Sequence, residues 1–399
     1  MAREIRGISM DEKKQNKRIL VFSPLYPPHI GGLQSHAREF NKYLSMLGYD
    51  ITVFTPQLPF SAKNEELVCE NNSSRCVRVI RFPAFELISN YPVPKFWQPL
   101  FWRQVATVRT NKYSIIISRT RFFFSSLLAG WYAKTNKVRW VHIEHGSDFP
   151  KLESVWKNFV AVLYDKTLGK LVLWSADVVV ANSQASAGFV KEMAGRECKF
   201  IYRGVDKAEI SVTGPVALNL PQGSLLVVFV GRLISGKGVA DLLNALKVID
   251  RKEVFCFIVG DGPQTNDLKS IAQGLGLDKV VFLGEKVHHD TIALIKRADI
   301  VINPSYTEGL PTSIIEAALC GKAIIATDVG GTKEIVDHNL SGLLYKPRDV
   351  FALVSLLRDL LDNPAKRERL GNGAFQKNKD LFDWEKASLQ YVQLFNTIE

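Results

Sequence analysis

Three stretches of this sequence place glycines, cations and carboxylates where they could work on a phosphate or a sugar. The first, GRLISGKG, runs from Gly231 to Gly238 and carries Arg232 and Lys237. It approaches the phosphate-binding pattern GxxxxGK[ST]. Its last position is Gly238, which has no hydroxyl to ligate Mg²⁺, so a nucleoside-triphosphatase site loses its metal. What remains is a Gly-rich turn, two fixed cations and a helix N-terminus near Val239. Such a turn can hold an anion such as a diphosphate; an ordinary strand-to-helix turn with surface cations fits the same residues. The second stretch is Val259-Gly260-Asp261-Gly262-Pro263. A dinucleotide fingerprint would need glycine at position 265, which is Thr265, so a nicotinamide site has little support.

The third stretch carries two carboxylates, Glu308 and Glu316, around Gly309, Leu310 and Pro311. Pro311 suits the first turn of a helix, which sets both acids near one helix N-terminus. Spacing alone decides nothing, since Glu4 and Glu12 repeat it. The segment runs on to Gly330, Gly331 and Glu334, another apolar run whose Gly-Gly turn opens onto a helix.

These loops need strands to position them. Apolar runs centre near Val228, Ile258, Phe282, Ile302, Ile325 and Leu344, with helical patterns at Val239–Ile249, Thr291–Arg297 and Thr312–Cys320 between them. The first half alternates similarly: Arg18–Ser23, a Pro- and Gly-rich loop ending in Gly31 and Gly32, a helical stretch from Gln34 to Leu47, then Ile51–Thr55. Later strand candidates are Val77–Phe82, Ser114–Ser118, Arg139–Ile143, Val178–Ala181 and Lys199–Tyr202. Such alternation implies right-handed βαβ crossovers and parallel sheets. Turn-rich sequence between Asp206 and Ser224 divides the chain into expected domains 1–205 and 206–383, each an open α/β layer. Ligands then bind where strand carboxyl ends face the cleft.

In combination these motifs resemble the family 4 retaining glycosyltransferases, of GT-B architecture: two Rossmann-like, doubly wound parallel-sheet domains facing a cleft. The resemblance rests on GRLISGKG, on EGLPTSIIEAALCGKAIIATDVGG, and on Ala298 to Ser305. In the first half it rests on Gly31-Gly32, His145 in Glu-His-Gly-Ser, Ala181 to Ser183 and Gly204 to Asp206. It spans residues 18 to about 346. It implies that Arg232 and Lys237 hold the donor diphosphate and that Glu316 bonds the ribose hydroxyls. Glu308 would contact the transferred sugar, with His145 beside it and Gly309 and Leu310 in the same donor loop. Gly31 and Gly32 would let backbone approach phosphate or acceptor. The C-terminal stretch 384–399 would return to the first domain. Catalysis is expected of Glu308, His145, Arg232 and Lys237. No Asp-x-Asp occurs, so neither a metal nor another cofactor is expected. A nucleotide-sugar epimerase on the same architecture and a non-catalytic sugar-nucleotide module remain as alternatives; donor consumption without acceptor separates the first from a transferase.

Composition sets the outer limits. The chain has 399 residues, 46% hydrophobic and 23% charged, ordinary values for a globular protein. Its net charge of +11 is uneven: residues 1–205 carry 29 Lys and Arg against 16 Asp and Glu. That excess points to an anionic partner, a membrane surface more than nucleic acid, since no nucleic-acid motif accompanies it. The expected acceptor is a glycan or lipid-linked saccharide of surface polysaccharide or glycoconjugate synthesis, bound by the first half. There Trp97, Phe101, Val105 and Val108 are placed on one helix face among Lys95, Arg103, Arg109 and Lys112, a pattern for lying in a bilayer interface or for facing a core. The first eighteen residues are polar and the uncharged stretch Phe122–Ala133 is too short to span a bilayer. A cytoplasmic protein, peripheral at most, is expected. Five cysteines without a CxxC suggest reduced thiols and no structural zinc.

Overall fold

A computed structural model of the chain describes residues 17–29, 31–58, 62–69, 76–88, 91–149 and 155–398. The polar opening stretch on which the reading of an absent signal rests lies, up to residue 16, outside the described residues, as does Glu399.

Among the described residues the first half builds ten strands: β1 (Arg18–Phe22), β2 (Asp50–Pro56), β3 (Glu65–Cys69), β4 (Cys76–Phe82), β5 (Ala84–Ile88), β6 (Tyr91–Pro94), β7 (Ile115–Arg119), β8 (Arg139–Glu144), β9 (Val178–Ala181) and β10 (Lys199–Phe200). Eight of them form one sheet in the order β10-β9-β8-β7-β1-β2-β4-β3, and β5 and β6 form a separate hairpin. Every pairing in the large sheet is parallel except β3 with β4. The second half adds β11 (Leu225–Val230), β12 (Val254–Val259), β13 (Val280–Gly284), β14 (Ile300–Asn303), β15 (Ala323–Thr327) and β16 (Leu343–Tyr345), all parallel, in the order β13-β12-β11-β14-β15-β16. Runs such as LLVVFV are apolar throughout because helices cover both faces of a parallel sheet. Two core clusters flank each sheet accordingly. The two doubly wound parallel sheets expected of the chain are therefore present.

In each sheet the strand order reverses beside a central strand, β1 in the first and β11 in the second, and ligand crevices open at such points. The helix Trp384–Ile398 crosses back onto the first sheet: Trp384, Tyr391 and Phe395 pack with Phe40, Leu44 and Tyr49. Where it starts, a Cβ at position 204 would overlap the Trp384 backbone, so only glycine lets these segments cross. Lys207 fixes the crossing by donating to Asp383 at 2.8 Å.

One expectation needs correction, and one open alternative is decided. Cys69 and Cys76 form a disulfide instead of remaining reduced, because the antiparallel β3–β4 register sets them directly opposite each other. The helix Pro99–Arg109 turns Phe101, Val105 and Val108 into the core, so its apolar face is not free for a bilayer; Trp97 precedes the helix and stands exposed. Leu310 buries its side chain in the core cluster that includes Ile314 and Ile315. Among the described residues, no helix is long and apolar enough to cross a membrane.

Candidate active site

The central strand β11 delivers Arg232 and Lys237. The chain leaves it at Gly231, makes a 3₁₀ turn over Ser235–Lys237, and enters the helix Val239–Ile249 through Gly238 at φ +63°. A Cβ at 238 would overlap the Pro304 carbonyl oxygen, so glycine lets this turn lie against the end of β14. The helix has no side-chain cap on its first turn. The Arg232 side chain makes no hydrogen bond or ion pair among the described residues. Burial lowers its pKa, against the pull of Glu285 and Glu86. Glu86 lies on β5 and Glu285 just after β13, so Arg232 feels both halves of the chain.

Glu308 is the neighbour that Lys237 does have. Its Oε1 accepts from Lys237 Nζ at 2.6 Å, Ser305 Oγ at 2.7 Å and Asn303 Nδ2 at 3.1 Å. Burial would raise its pKa, but the Lys237 ammonium and these donors outweigh it, and the carboxylate titrates below its usual range. Lys237 and Glu308, 71 residues apart in sequence, are thus brought together at adjacent strand ends.

His145 approaches from the other sheet. It follows β8, and its N–H, like that of Gly146, donates to the Glu144 carboxylate at 2.8 and 2.7 Å. Asn182 Nδ2 donates to His145 Nδ1 at 3.1 Å while Asn182 Oδ1 accepts from Ser186, which fixes the amide's orientation and leaves the ring proton on Nε2. Burial lowers the His145 pKa, helped by Arg119, to about 3. The ring is neutral at pH 7, and its buried Nε2 has no hydrogen-bond partner among the described residues. The same loop touches the second half directly: Ser147 Oγ donates to the Glu308 carbonyl at 2.5 Å, and a Cβ on Gly309 would overlap the His145 carbonyl oxygen. Gly331 N–H closes the group by donating to Gly309 O at 2.9 Å.

Gly32 and Glu316 sit at a second cluster. Arg203 Nη1 reaches Thr312 Oγ1 at 2.6 Å and the Gly32 carbonyl at 3.3 Å, joining the loop after β1 to the helix Thr312–Leu319. Gly31 precedes the helix Gly32–Met46, where an added Cβ would meet only the Gln34 side chain. Glu316, one turn beyond Thr312, is buried and accepts from His288 Nε2 at 2.9 Å, while His288 Nδ1 bonds Glu209 at 2.7 Å. The structure thus joins Lys237, Glu308, Gly309 and His145 in one contact group and holds Glu316 in another.

The halves match two family models: Glycosyltransferase Family 4 over residues 30–209 and Glycosyl transferases group 1 over 215–377. An uncharacterized glycosyltransferase of Methanocaldococcus jannaschii is 36% identical over 392 residues, covering 96% of this chain and 98% of its own. This chain is a family 4 glycosyltransferase. The glycosyltransferase also resembles a glycogen synthase of Mycobacterium tuberculosis, 25% identical over 95% of this chain and 94% of its own. Among solved structures, sucrose-phosphate synthase from Thermosynechococcus elongatus superposes with a TM-score of 0.80 at 23% identity, covering 96% of this chain and 99% of its own. HepE of Anabaena in complex with UDP-glucose gives 0.71 at 22%, covering 95% and 99%. The shared fold is GT-B.

Sequence reasoning assigned no role to Arg203, Thr312, His288 or Asn182. Asn182 stood in a quoted motif and Thr312 beside Pro311, but His288 and Arg203 carry no local pattern. His288 leads to a pH prediction for the glycosyltransferase. Burial lowers its pKa, but the bonds and charges of Glu316 and Glu209 outweigh it and raise it from 6.5 to about 9. A raised folded-state pKa gives stability that is complete below pH 6.5 and lost as pH rises through about 9. The melting temperature should therefore decline across that window, and His288→Phe should flatten the decline. An identical pH profile in the variant would show that the bridge contributes nothing.

Proposed function

We propose that the chain moves a sugar from a nucleotide-diphosphate donor to a glycan or lipid-linked saccharide, with retention at the anomeric carbon and without a bound metal. Residues 206–383 hold the donor and residues 1–205 the acceptor. The observation that carries this reading is the Lys237–Glu308 pair, with its carboxylate buried, in contact through the Glu308 loop with the His145 loop and preceded by Arg232, whose side chain has no partner among the described residues. HepE structures with UDP and with UDP-glucose support a donor of this class.

Breaking a sugar–phosphate bond builds negative charge on the departing diphosphate and positive charge on the sugar. Arg232, Lys237 and the uncapped amides of the helix Val239–Ile249 are preorganised for the first charge, and such preorganisation is usually the largest catalytic contribution. Glu316 presents its carboxylate to the ribose hydroxyls, held in place by His288. Glu308 has Oε1 stabilised by three donors, which makes it a poor nucleophile and suits it to balancing charge near the sugar. Retention then proceeds on one face: the acceptor oxygen bonds the anomeric carbon as the sugar–phosphate bond breaks, and the acceptor proton passes to the leaving phosphate oxygen. His145 donates from Nε2 to a sugar hydroxyl and keeps that sugar oriented.

A thermal-shift panel of UDP-, GDP- and ADP-sugars tests the donor reading, because a ligand that binds only the folded state raises apparent stability. One member should shift the melting temperature, with the shift absent in Arg232→Ala; no shift with any member sinks the proposal. Transfer should proceed undiminished in EDTA. A rate abolished by EDTA and restored by Mn²⁺ would instead assign the diphosphate to a metal.

A further inference from the structure

One helix of the first half has the wrong side facing out. It runs as Val155–Tyr164, a π turn at Asp165–Gly169, and Lys170–Ser175. Its acid, Asp165, is buried and accepts from Arg121 Nη2 at 2.7 Å. Its large apolar side chains Trp156, Phe159, Leu163, Leu168, Leu171 and Trp174 are exposed, Trp156 at 71% and Trp174 at 66%. The five-residue step from Leu163 to Leu168 crosses the wide π turn, which keeps the second part of the row in line with the first. A continuous apolar row on the solvent side of a helix that buries its carboxylate calls for a partner outside the fold.

The charges around the row identify that partner's chemistry. Lys166 and Lys170 are exposed on the same helix, Lys170 lying 5.8 Å from the Trp174 ring. Next to Leu171 opens a groove of about 790 Å³ lined by Trp131, Lys134, Lys137 and Arg139, with Asp177 as its one acid. Arg109 stacks over Trp131 at 4.8 Å. Aromatic rings ending an apolar row, with cations beside it, match the interface of an anionic bilayer, where rings sit at headgroup depth and cations meet phosphate. A second copy of this chain would set like-charged faces against each other, in the half that carries the excess of 29 cations over 16 acids.

We propose that the face formed by the helix 155–175 and the adjoining groove docks the protein on an anionic phospholipid surface. The helix starts ten positions after His145, so docking holds the mouth of the cleft near the membrane, where a lipid-linked saccharide would be presented. The docking face is built from side chains of the first half alone and does not rest on the donor assignment.

The test is co-sedimentation of the full chain with vesicles of phosphatidylcholine, with and without phosphatidylglycerol, at low salt. The wild type should partition to the anionic vesicles, and Trp156→Ser/Phe159→Ser/Leu163→Ser should lose that partitioning by at least about tenfold, since three exposed apolar side chains that enter the bilayer interface on docking are removed. Lys134→Glu/Lys137→Glu/Lys170→Glu should weaken anionic binding by roughly fivefold per cation or more. All these side chains are exposed or groove-lining, so melting temperatures should stay at the wild-type value, and Phe351→Ser on the second half should bind like wild type. A wild type that stays in the supernatant, or an apolar triple variant that still sediments, overturns the proposal. So does a dimer in light scattering that the apolar variant dissociates while vesicles capture neither form. The nucleotide-sugar thermal shift, measured on the same variants, should be unchanged, which separates this failure from a failure of the donor reading.

Discussion

Lys237→Ala is expected to slow sugar transfer roughly 10²–10³-fold, the loss found when one preorganised charge partner of a transition state is removed. Two effects add. The departing diphosphate loses an ammonium that is fixed before the reaction begins. Glu308 also loses the cation that outweighs its burial, so its carboxyl pKa should rise from its present low position. Ser305 and Asn303 still donate to Oε1, and Lys237 is partly exposed, so the stability loss should stay near about 1–3 kcal/mol, the cost of leaving a buried charged group short of a partner. The fall should appear mainly in kcat, because the charge that Lys237 meets develops as the bond breaks. Lys237→Met combined with Glu308→Gln separates the effects: removing both charges should restore the melting temperature and leave transfer slow. A single variant within about tenfold of the wild-type rate would reduce Lys237 to a structural counter-ion.

The parts of this site that could be read in the sequence are those built from consecutive residues. GRLISGKG follows a strand and opens a helix, so its turn, cations and strand-end position are all local properties. The second half was legible because fully buried parallel strands are short apolar runs separated by helices; Val239–Ile249 matches its pattern residue for residue. Pairings across the chain left no such trace. His288 meets Glu316 and Glu209 from a third element, and Arg203 joins Gly32 to Thr312 across the two halves. The Cys69–Cys76 bond depends on a hairpin register that two cysteines seven residues apart do not specify. The orientation of the helix 155–175 leaves no trace in the sequence, because an apolar row looks the same whether it faces a core or solvent, and only the burial of Asp165 decides it. The helix Pro99–Arg109 is the opposite case: its pattern fits a bilayer interface or a core, and Phe101, Val105 and Val108 belong to the core.

The sharpest test of how the halves cooperate removes nothing from the site. Gly309→Ala adds a methyl group where the His145 carbonyl oxygen already sits, and a backbone oxygen on a strand-end loop cannot yield as a flexible side chain would. The strain falls on the contact between the halves, through the Ser147–Glu308 hydrogen bond beside it. Each sheet keeps its own core, so the melting temperature should hold close to the wild-type value. His145, however, should be pushed back from Glu308 and Lys237. A displacement of about 1 Å between groups that must act on one anomeric carbon costs transfer on the order of 100-fold. Donor binding should survive better than transfer, because Arg232, Lys237 and Glu316 all lie in the second half. Gly330→Ala makes the contrasting case. Its Cβ would overlap the Glu308 carbonyl within the same half, at φ +50°, so it should lower stability as well as rate. If Gly309→Ala instead transfers sugar at the wild-type rate, the contact of His145 with the Glu308 loop is not the arrangement in which transfer occurs, and the catalytic assignment of His145 fails with it.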